Sequence, residues 1–218
     1  MSELFKVAEI EGKGLGLVAL QDIKIGTFIV REKHVISMDA IGIRASTGLQ
    51  TTYITPEFFD KLLKSYSQMS KSDREEYLKL HTRHPQDDKS TIGMGASSFF
   101  QWFPYLKKYY DVEIVKKILN VYLSNVMQCT WRNSRPIAKI FLKLSRSNHS
   151  CQPNASITWT ETEEIIGLIA TSNIKAGSEI TRSYNWPQLS MKNLKLRQEF
   201  ILSYKGTLGP NYLKIPVS

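Results

Sequence analysis

Residues 145–154 read SRSNHSCQPN, and further along the chain residues 177–184 read GSEITRSY. The first segment is a polar loop shortly after the apolar residues 140–142, a position that suits a binding crevice. Asn and Pro also close turns, so this segment alone is compatible with a structural role. Tyr184, which ends the second segment, is by itself typical of a core tyrosine with a satisfied hydroxyl. The two segments together are more informative than either alone.

A glycine-rich turn lies near the start of the chain. Lys13-Gly14-Leu15-Gly16 follows a predicted strand, and glycine permits positive φ and lets the backbone approach a ligand closely. Such turns are also common in simple hairpins. The third glycine and the following helix of a dinucleotide fingerprint are missing from this segment, so the pattern does not support a Rossmann site.

The chain changes from a strand pattern to a helix pattern and back. In residues 6–35, β-branched residues between glycine-bearing turns predict short strands. In residues 38–137, apolar residues at three-to-four spacing predict amphipathic helices that begin near Pro56, near Ser72 and at Val112. This middle region is therefore expected to be a largely helical insertion.

Strand patterns return in the second half of the chain, at residues 137–144, 155–160 and 164–170. A basic helix is predicted over residues 190–204 and is followed by a tail with glycines and prolines. The sequence therefore predicts a mainly β fold with an α-helical insertion, an α+β class.

Composition limits the possible functions. The formal net charge is +9, which favours acidic partners, although scattered lysines are more typical of solvated faces. The two cysteines, Cys129 and Cys151, offer neither a disulfide framework nor enough zinc ligands, so we expect no metal. We identify no signal peptide and no stretch near the roughly 20 apolar residues of a membrane span. We expect a soluble, intracellular protein.

Three motifs in fixed order carry a family resemblance. They are GxG at residues 14–16, NHSCxPN at residues 148–154 and GxEIxxxY at residues 177–184. Together they resemble the signature of SET-domain protein lysine methyltransferases, over the first forty residues and about 138–205. The sequence of the second motif is most similar to that of the SET and MYND domain (SMYD) group and of short fungal SET proteins. The zinc-binding cysteines of the MYND and post-SET modules are missing from this sequence.

The resemblance implies a SET-domain β-clip of small sheets with a helical insert and a pseudoknot-like C-terminal crossing. It implies a single domain over residues 1–218, with residues 1–37 and 138–189 as the SET core. Residues 38–137 would be the insertion, and residues 190–218 a C-terminal helix and tail without zinc.

The resemblance also implies an activity, the S-adenosylmethionine-dependent methylation of a lysine side-chain amine in a protein. Tyr184 would be the catalytic residue. Lys13 would lie near the cofactor carboxylate, Asn148 would bind its amino acid portion, His149 would hold the adenine through its backbone, and Tyr204 would close the lysine channel. The implied cofactor-binding residues are Lys13, Gly14, Leu15, Gly16, Asn125, Ser145, Asn148, His149, Tyr184 and Tyr204.

Two other functions remain open at this point. The missing zinc cysteines are compatible with a catalytically silent SET fold that serves as a binding or scaffold module, and the basic charge alone is compatible with nucleic-acid binding. For the enzyme we expect a protein substrate that presents a lysine, such as a histone or another acidic-surfaced protein. We expect no membrane partner, only indirect contact with nucleic acid, possible oligomers, and a nuclear or cytoplasmic location.

Overall fold

A computed structural model describes residues 3–39, 55–82, 91–129, 137–159 and 165–184. Ten strands and four α-helices lie in these ranges. The strands are β1 (Phe5–Ile10), β2 (Gly14–Ala19), β3 (Phe28–Lys33), β4 (Ile36–Asp39), β5 (Met127–Cys129), β6 (Ile137–Ile140), β7 (Asn148–His149), β8 (Ala155–Trp159), β9 (Ile165–Ala170) and β10 (Glu179–Arg182). The helices are α1 (Pro56–Gln68), α2 (Lys71–Leu78), α3 (Thr91–Trp102) and α4 (Val112–Asn125), with short 3₁₀ helices at Pro104–Lys108 and Leu144–Arg146.

The chain forms two compact units. Residues 1–33 and 143–218 belong to the first unit, and residues 34–142 belong to the second. The second unit contains the predicted insertion, residues 38–137, and extends a few residues beyond it on each side. Three small sheets and a group of helices confirm the predicted α+β class with a helical insert. The predicted helix and tail over residues 190–218 lie outside the described residues.

A four-stranded sheet in the first unit has the order β1-β2-β10-β7. Strands β1 and β2 form a hairpin in which Phe5 lies opposite Ala19 and Ile10 lies opposite Gly14. Gly12 and Gly14 adopt φ angles of 72° and 71°, a left-handed conformation that costs glycine little because it has no Cβ. Strand β10 is antiparallel to β2 and parallel to β7, so the hairpin and both motif segments share one sheet.

A second sheet of the first unit has the order β3-β9-β8, and all its pairs are antiparallel. Two similar turns lie near it, because residues 174–177 repeat the Ile-Lys-x-Gly pattern of residues 23–26. Ile23 and Ile174 exchange two backbone hydrogen bonds of 2.8 Å, and each turn ends in a glycine with positive φ. These paired turns fix the position at which β10 begins.

The second unit combines the sheet β4-β6-β5 with four helices. The helix starts agree with the sequence signals: Thr55 caps α1, Ser70 caps α2 and Asp111 caps α4, each by accepting a backbone N–H. Aromatic side chains fill the core, where Phe59 packs against Phe99 with ring centroids 5.1 Å apart. No helix in the described part of the chain is long and apolar enough to cross a membrane.

The strand predicted over residues 137–144 is shorter in the structure. Strand β6 ends at Ile140, and residues 144–146 form a 3₁₀ turn. The cause is a distant carboxylate: Glu32 accepts the backbone N–H groups of Lys143, at 3.0 Å, and of Leu144. A carboxylate that satisfies two N–H groups at the start of a turn stabilises the turn against continued strand pairing. The polar loop of residues 145–154 therefore begins from a fixed turn.

Candidate active site

The three motif segments meet on neighbouring strands of the four-stranded sheet. Ile180 of β10 lies opposite Leu17 of β2, and Thr181 of β10 lies opposite Asn148 of β7. The loop that precedes β7, the glycine turn and the end of β10 are thereby adjacent. The glycine turn and the asparagine–histidine segment lie on the two sides of β10 in one sheet, and the Asn148 amide reaches back to Gly16.

Gly16 marks the closest approach of the backbone to neighbouring side chains. A Cβ built on this residue would lie 2.6 Å from Cγ1 of Ile10 and 2.8 Å from Nδ2 of Asn148. Real Cβ atoms do not approach other atoms so closely, so only glycine fits here without displacement. Gly14 is different, because a Cβ there would meet open space and only the positive φ favours glycine. The second glycine of the motif is thus a packing requirement.

An ion pair and a side-chain amide surround the glycine turn. Nζ of Lys13 lies 2.7 Å from Oε2 of Glu179, and Nδ2 of Asn148 donates to Oε1 of the same carboxylate at 2.8 Å. The amide of Asn148 also donates to the carbonyl of Leu15 over a longer distance of 3.4 Å. Two of the predicted cofactor-binding side chains, Lys13 and Asn148, are therefore joined by Glu179, a residue to which sequence reasoning assigned no role.

Asn154 holds β10 in place, and sequence reasoning gave it no role beyond membership of the motif. Its Nδ2 donates to the carbonyl of Glu179 at 2.8 Å, and its Oδ1 accepts the backbone N–H of Thr181 at 2.9 Å. The side chain thus forms with the backbone of β10 the hydrogen bonds that a neighbouring strand would form. The only sequence signal for this role was the position of Asn154 at the end of the NHSCxPN motif.

His149 is buried, with 3% of its surface exposed, and it supports Tyr184. Its Nδ1 accepts the backbone N–H of Tyr184 at 3.0 Å, and its Nε2 lies 3.4 Å from Sγ of Cys151. Burial, assisted by the positive charges of Arg182 and Lys13, lowers the pKa of His149 to about 4. The imidazole is therefore neutral at physiological pH, and because Nδ1 acts as an acceptor, the ring proton is on Nε2.

Tyr184 is fixed by its hydroxyl and by its ring. The hydroxyl donates to the carbonyl of Ser147 at 3.0 Å, and the ring centroid lies 5.3 Å from that of His149. The guanidinium of Arg182 lies 4.4 Å from the centre of the tyrosine ring and donates through Nε to Oγ of Ser147 at 2.9 Å. The side chain predicted to be catalytic is thus held by several independent contacts.

The remaining predicted residues have different surroundings. Oγ of Ser145 is buried and has no hydrogen-bond partner among the described residues, which is unusual because buried polar groups are nearly always paired. Leu15 is exposed on β2. Asn125 ends α4 in the second unit, where its amide donates to the carbonyls of His81 and Val121. Tyr204 lies outside the described residues.

Metal-binding side chains do not cluster in the described part of the chain. Among residues 3–39, 55–82, 91–129, 137–159 and 165–184, no three His, Cys, Asp or Glu side chains are grouped so that they could hold a metal ion. The polar groups of the site are instead an ammonium, a carboxylate, amides and hydroxyls, which suit an organic ligand with charged ends.

Comparison with known protein families decides the assignment. The model of the SET domain family matches residues 14–185, which include all three motifs. The chain belongs to the SET-domain family. This SET-domain chain is also similar to the histone-lysine N-methyltransferase set5 of Schizosaccharomyces pombe, with 25% identity over 183 residues. That match covers 84% of this chain and 42% of the relative, so the chain spans less than half of the relative's length.

One of the solved structures that align with this chain is a SET domain. The crystal structure of the SET domain of LSMT bound to lysine and AdoHcy aligns with 16% identity and a TM-score of 0.45. The alignment covers 85% of this chain and 50% of that chain. Neither relative is named as a member of the SMYD group, so the finer grouping suggested by the sequence stays a prediction.

Proposed function

We propose that this chain is a protein-lysine N-methyltransferase that transfers a methyl group from S-adenosylmethionine to a lysine side-chain amine. The observation that carries the proposal is the position of Tyr184. Its hydroxyl is bound to the carbonyl of Ser147, one residue before Asn148, whose amide nitrogen lies beside Gly16. The predicted catalytic tyrosine, the asparagine and the glycine turn thus belong to one connected set of contacts.

The residues of the first unit are compatible with this cofactor. A Cβ at Gly14 would meet no atom within 4 Å, so the backbone of the glycine turn is open to a ligand there, and the buried Oγ of Ser145 can supply a hydrogen bond that no described residue uses. Lys13 and Asn148 provide a cation and an amide for the charged ends of an amino acid. When bound, the cofactor supplies a methyl carbon activated by its attachment to a sulfonium sulfur.

The protein has to deliver a neutral amine in line with that carbon. A lysine side chain has a pKa near 10.4 in water, and burial near a positive charge favours its neutral form. The hydroxyl of Tyr184 donates its hydrogen to Ser147, so its oxygen acts as an acceptor toward the N–H of the incoming amine. Alignment of this kind can account for a large part of the rate without a strong acid or base.

The substrate is a protein that presents a lysine, and we propose a histone as the first one to examine. The name of the fission yeast relative supports this choice, since that protein is a histone-lysine N-methyltransferase. The formal charge of +9 favours acidic surfaces, such as the acidic regions of histone octamers, and by itself does not favour a free basic peptide. A nuclear or cytoplasmic location, where such substrates are found, is part of the same proposal.

The test separates cofactor binding from catalysis. Calorimetric titration of the 218-residue chain with S-adenosylmethionine should give binding, and a lysine-peptide array should then report methylation. In Tyr184→Phe we expect retained cofactor affinity and about 100-fold slower methylation, because the amine loses its positioning contact. Tyr109→Phe, at a tyrosine that is 69% exposed, is the matched control and should leave both unchanged.

Two results would contradict the proposed methyltransferase activity. If the wild-type chain does not bind S-adenosylmethionine, the proposal fails at its first step. If it binds but methylates no lysine on the array or on histones, a silent binding module becomes the better description. Equal methylation by wild type and Tyr184→Phe would remove Tyr184 from the mechanism.

A further inference from the structure

We infer that Glu179 is a positioning residue: it orients the Asn148 amide and the Lys13 ammonium so that together they recognise the zwitterionic amino acid end of the cofactor. The inference rests on the proposed function and adds a residue to it. Glu179 itself need not contact the cofactor. Its role is to decide which polar atoms of its two partners face the ligand.

Both oxygens of the Glu179 carboxylate are in use. Oε2 is paired with Lys13 at 2.7 Å, and Oε1 accepts from Asn148 at 2.8 Å. The side chains of Lys13 and Glu179 are only 21% and 17% exposed, so solvent screens this pair less than a surface pair. The backbone of Glu179 is fixed as well, because its carbonyl accepts from Asn154. The carboxylate of Glu179 is therefore a fixed acceptor that Lys13 and Asn148 share.

The bonds of Asn148 determine the orientation of its amide. A side-chain amide has two N–H hydrogens and one carbonyl oxygen, and their assignment follows from the hydrogen-bond partners. Here both partners, Oε1 of Glu179 and the carbonyl of Leu15, are acceptors. The nitrogen must therefore face them, and Oδ1 is the atom that remains for a ligand. Oδ1 is an acceptor, which suits an ammonium group.

The charges complete the recognition. Lys13 contributes one positive charge and Glu179 one negative charge, so this part of the site is neutral overall. A neutral ion pair matches a zwitterion better than it matches a simple anion, because neither partner is left uncompensated. The α-carboxylate then lies with Lys13 and the α-ammonium with Oδ1 of Asn148. Without the charge of Glu179, the amide of Asn148 loses the contact that selects its orientation.

The test compares two ligands that differ only at the amino acid end. S-adenosylhomocysteine carries the zwitterion, whereas 5′-methylthioadenosine keeps the nucleoside and thioether but lacks it. In Glu179→Gln we expect S-adenosylhomocysteine to bind about 10- to 100-fold more weakly, as for loss of a hydrogen bond to a charged group. Binding of 5′-methylthioadenosine should stay within about twofold, because Glu179 affects only the zwitterion. Glu9→Gln, on the exposed face of β1, is the control and should affect neither ligand.

A charge exchange provides a second, independent readout. Asn148→Asp alone should weaken the binding of S-adenosylhomocysteine, because the carboxylates of residues 148 and 179 then face each other. In the double variant Asn148→Asp with Glu179→Gln, the new amide donates to the new carboxylate and an acceptor again faces the ligand. We expect the double variant to bind S-adenosylhomocysteine at least about tenfold more tightly than Asn148→Asp alone, since paired residues couple strongly.

Each outcome decides the inference. Unchanged affinity of Glu179→Gln for S-adenosylhomocysteine, with a wild type that binds it, would overturn the inference and leave the proposed function intact. Equal weakening of both ligands would also overturn it, because this indicates general damage to the fold. A wild type that binds neither ligand would overturn the proposed function and this inference together. A selective loss with recovery in the double variant would support the positioning role.

Discussion

The core of the second unit and the site of the first unit depend on different interactions. In residues 34–142 the core consists of aromatic and aliphatic side chains such as Phe59, Phe99 and Tyr122, which are almost fully buried. Around the site in the first unit, Asn148 donates to the carboxylate of Glu179 and Asn154 donates to the backbone carbonyl of the same residue. Apolar packing tolerates small shifts, whereas hydrogen bonds depend on direction. The first unit has an apolar core as well, in which Leu17, Leu168 and Ile180 are fully buried, so the difference lies in its hydrogen-bonded site. A small change in that site is therefore the one that should affect a ligand.

The largest expected effect is on the stability of the second unit, residues 34–142. Phe59→Ala removes a ring that is 1% exposed and packs against Phe99, so unfolding should require about 3–5 kcal/mol less free energy. Hydrogen exchange measured by mass spectrometry should show faster exchange in residues 34–142. Tyr109→Ala, at an exposed ring, should change stability by less than about 0.5 kcal/mol. If both variants have the same stability, the apolar core does not stabilise this unit as described.

A pH titration tests the hydrogen-bonded site of the first unit. The pKa of His149 is about 4 in the folded chain and 6.5 as its ordinary value. Between these values the unfolded chain binds a proton that the folded chain does not. The contribution of His149 to stability is therefore full above about pH 6.5, falls as the pH is lowered toward about 4 and does not fall further below that pH, with a total loss of up to about 3 kcal/mol.

The measurement is the free energy of unfolding by urea from pH 7 to pH 4, in wild type and in His149→Gln. Glutamine does not titrate in this range, so the difference between the two curves isolates the histidine. Parallel curves would mean that His149 is not kept neutral by its surroundings, and the comparison between the units would lose its main electrostatic support.

Gly16→Ala should lower both the stability of the chain and its affinity for the cofactor. The added methyl would lie 2.6 Å from Ile10 and 2.8 Å from Nδ2 of Asn148, and overpacking of this kind costs about 1–3 kcal/mol. Because Asn148 must move, calorimetry should also show weaker binding of S-adenosylmethionine. Gly14→Ala meets no neighbour but must adopt φ near 71°, at a cost of about 1–2 kcal/mol, and should retain more affinity. The opposite order of affinities would contradict the packing role of Gly16.

The smallest expected effect is at the turn that precedes the motif loop. Glu32→Gln keeps the shape of the side chain but removes the charge that binds the N–H groups of Lys143 and Leu144. The expected loss is about 1 kcal/mol, measured by thermal unfolding. Glu9→Gln on exposed β1 is again the control. A loss as large as that of Phe59→Ala would show that the two units do not differ in the way proposed here.

Much of the fold was predictable because its signals are local. The hairpin of β1 and β2 follows from glycines between β-branched residues, and α1 begins at Pro56 after the cap Thr55. Helix α3 was not predicted as a separate element, since Gly93 and Gly95 lower its propensity. Burial of Ala96 and Phe99 in the apolar core favours the helix over that local preference.

The candidate site was predictable in part. Gly16, Asn148 and Tyr184 lie in segments that the sequence alone marks, and the structure brings these segments onto adjacent strands. Glu179 and Asn154 were quoted within the motifs without a role, because a role here depends on partners that only folding supplies. Glu179 and Asn154 reach their partners only because folding places β10 between β2 and β7.

The sequence by itself determined the local elements and the order of the three motifs, because caps, glycine turns and hydrophobic periodicity act within a few residues. Only the tertiary structure decided that Glu179 binds Lys13, 166 positions away, and Asn148, 31 positions away. It also decided that His149 is neutral and that strand β6 ends at Ile140. Hydrogen bonds and desolvation depend on distances in space, and these arise only when distant segments pack together.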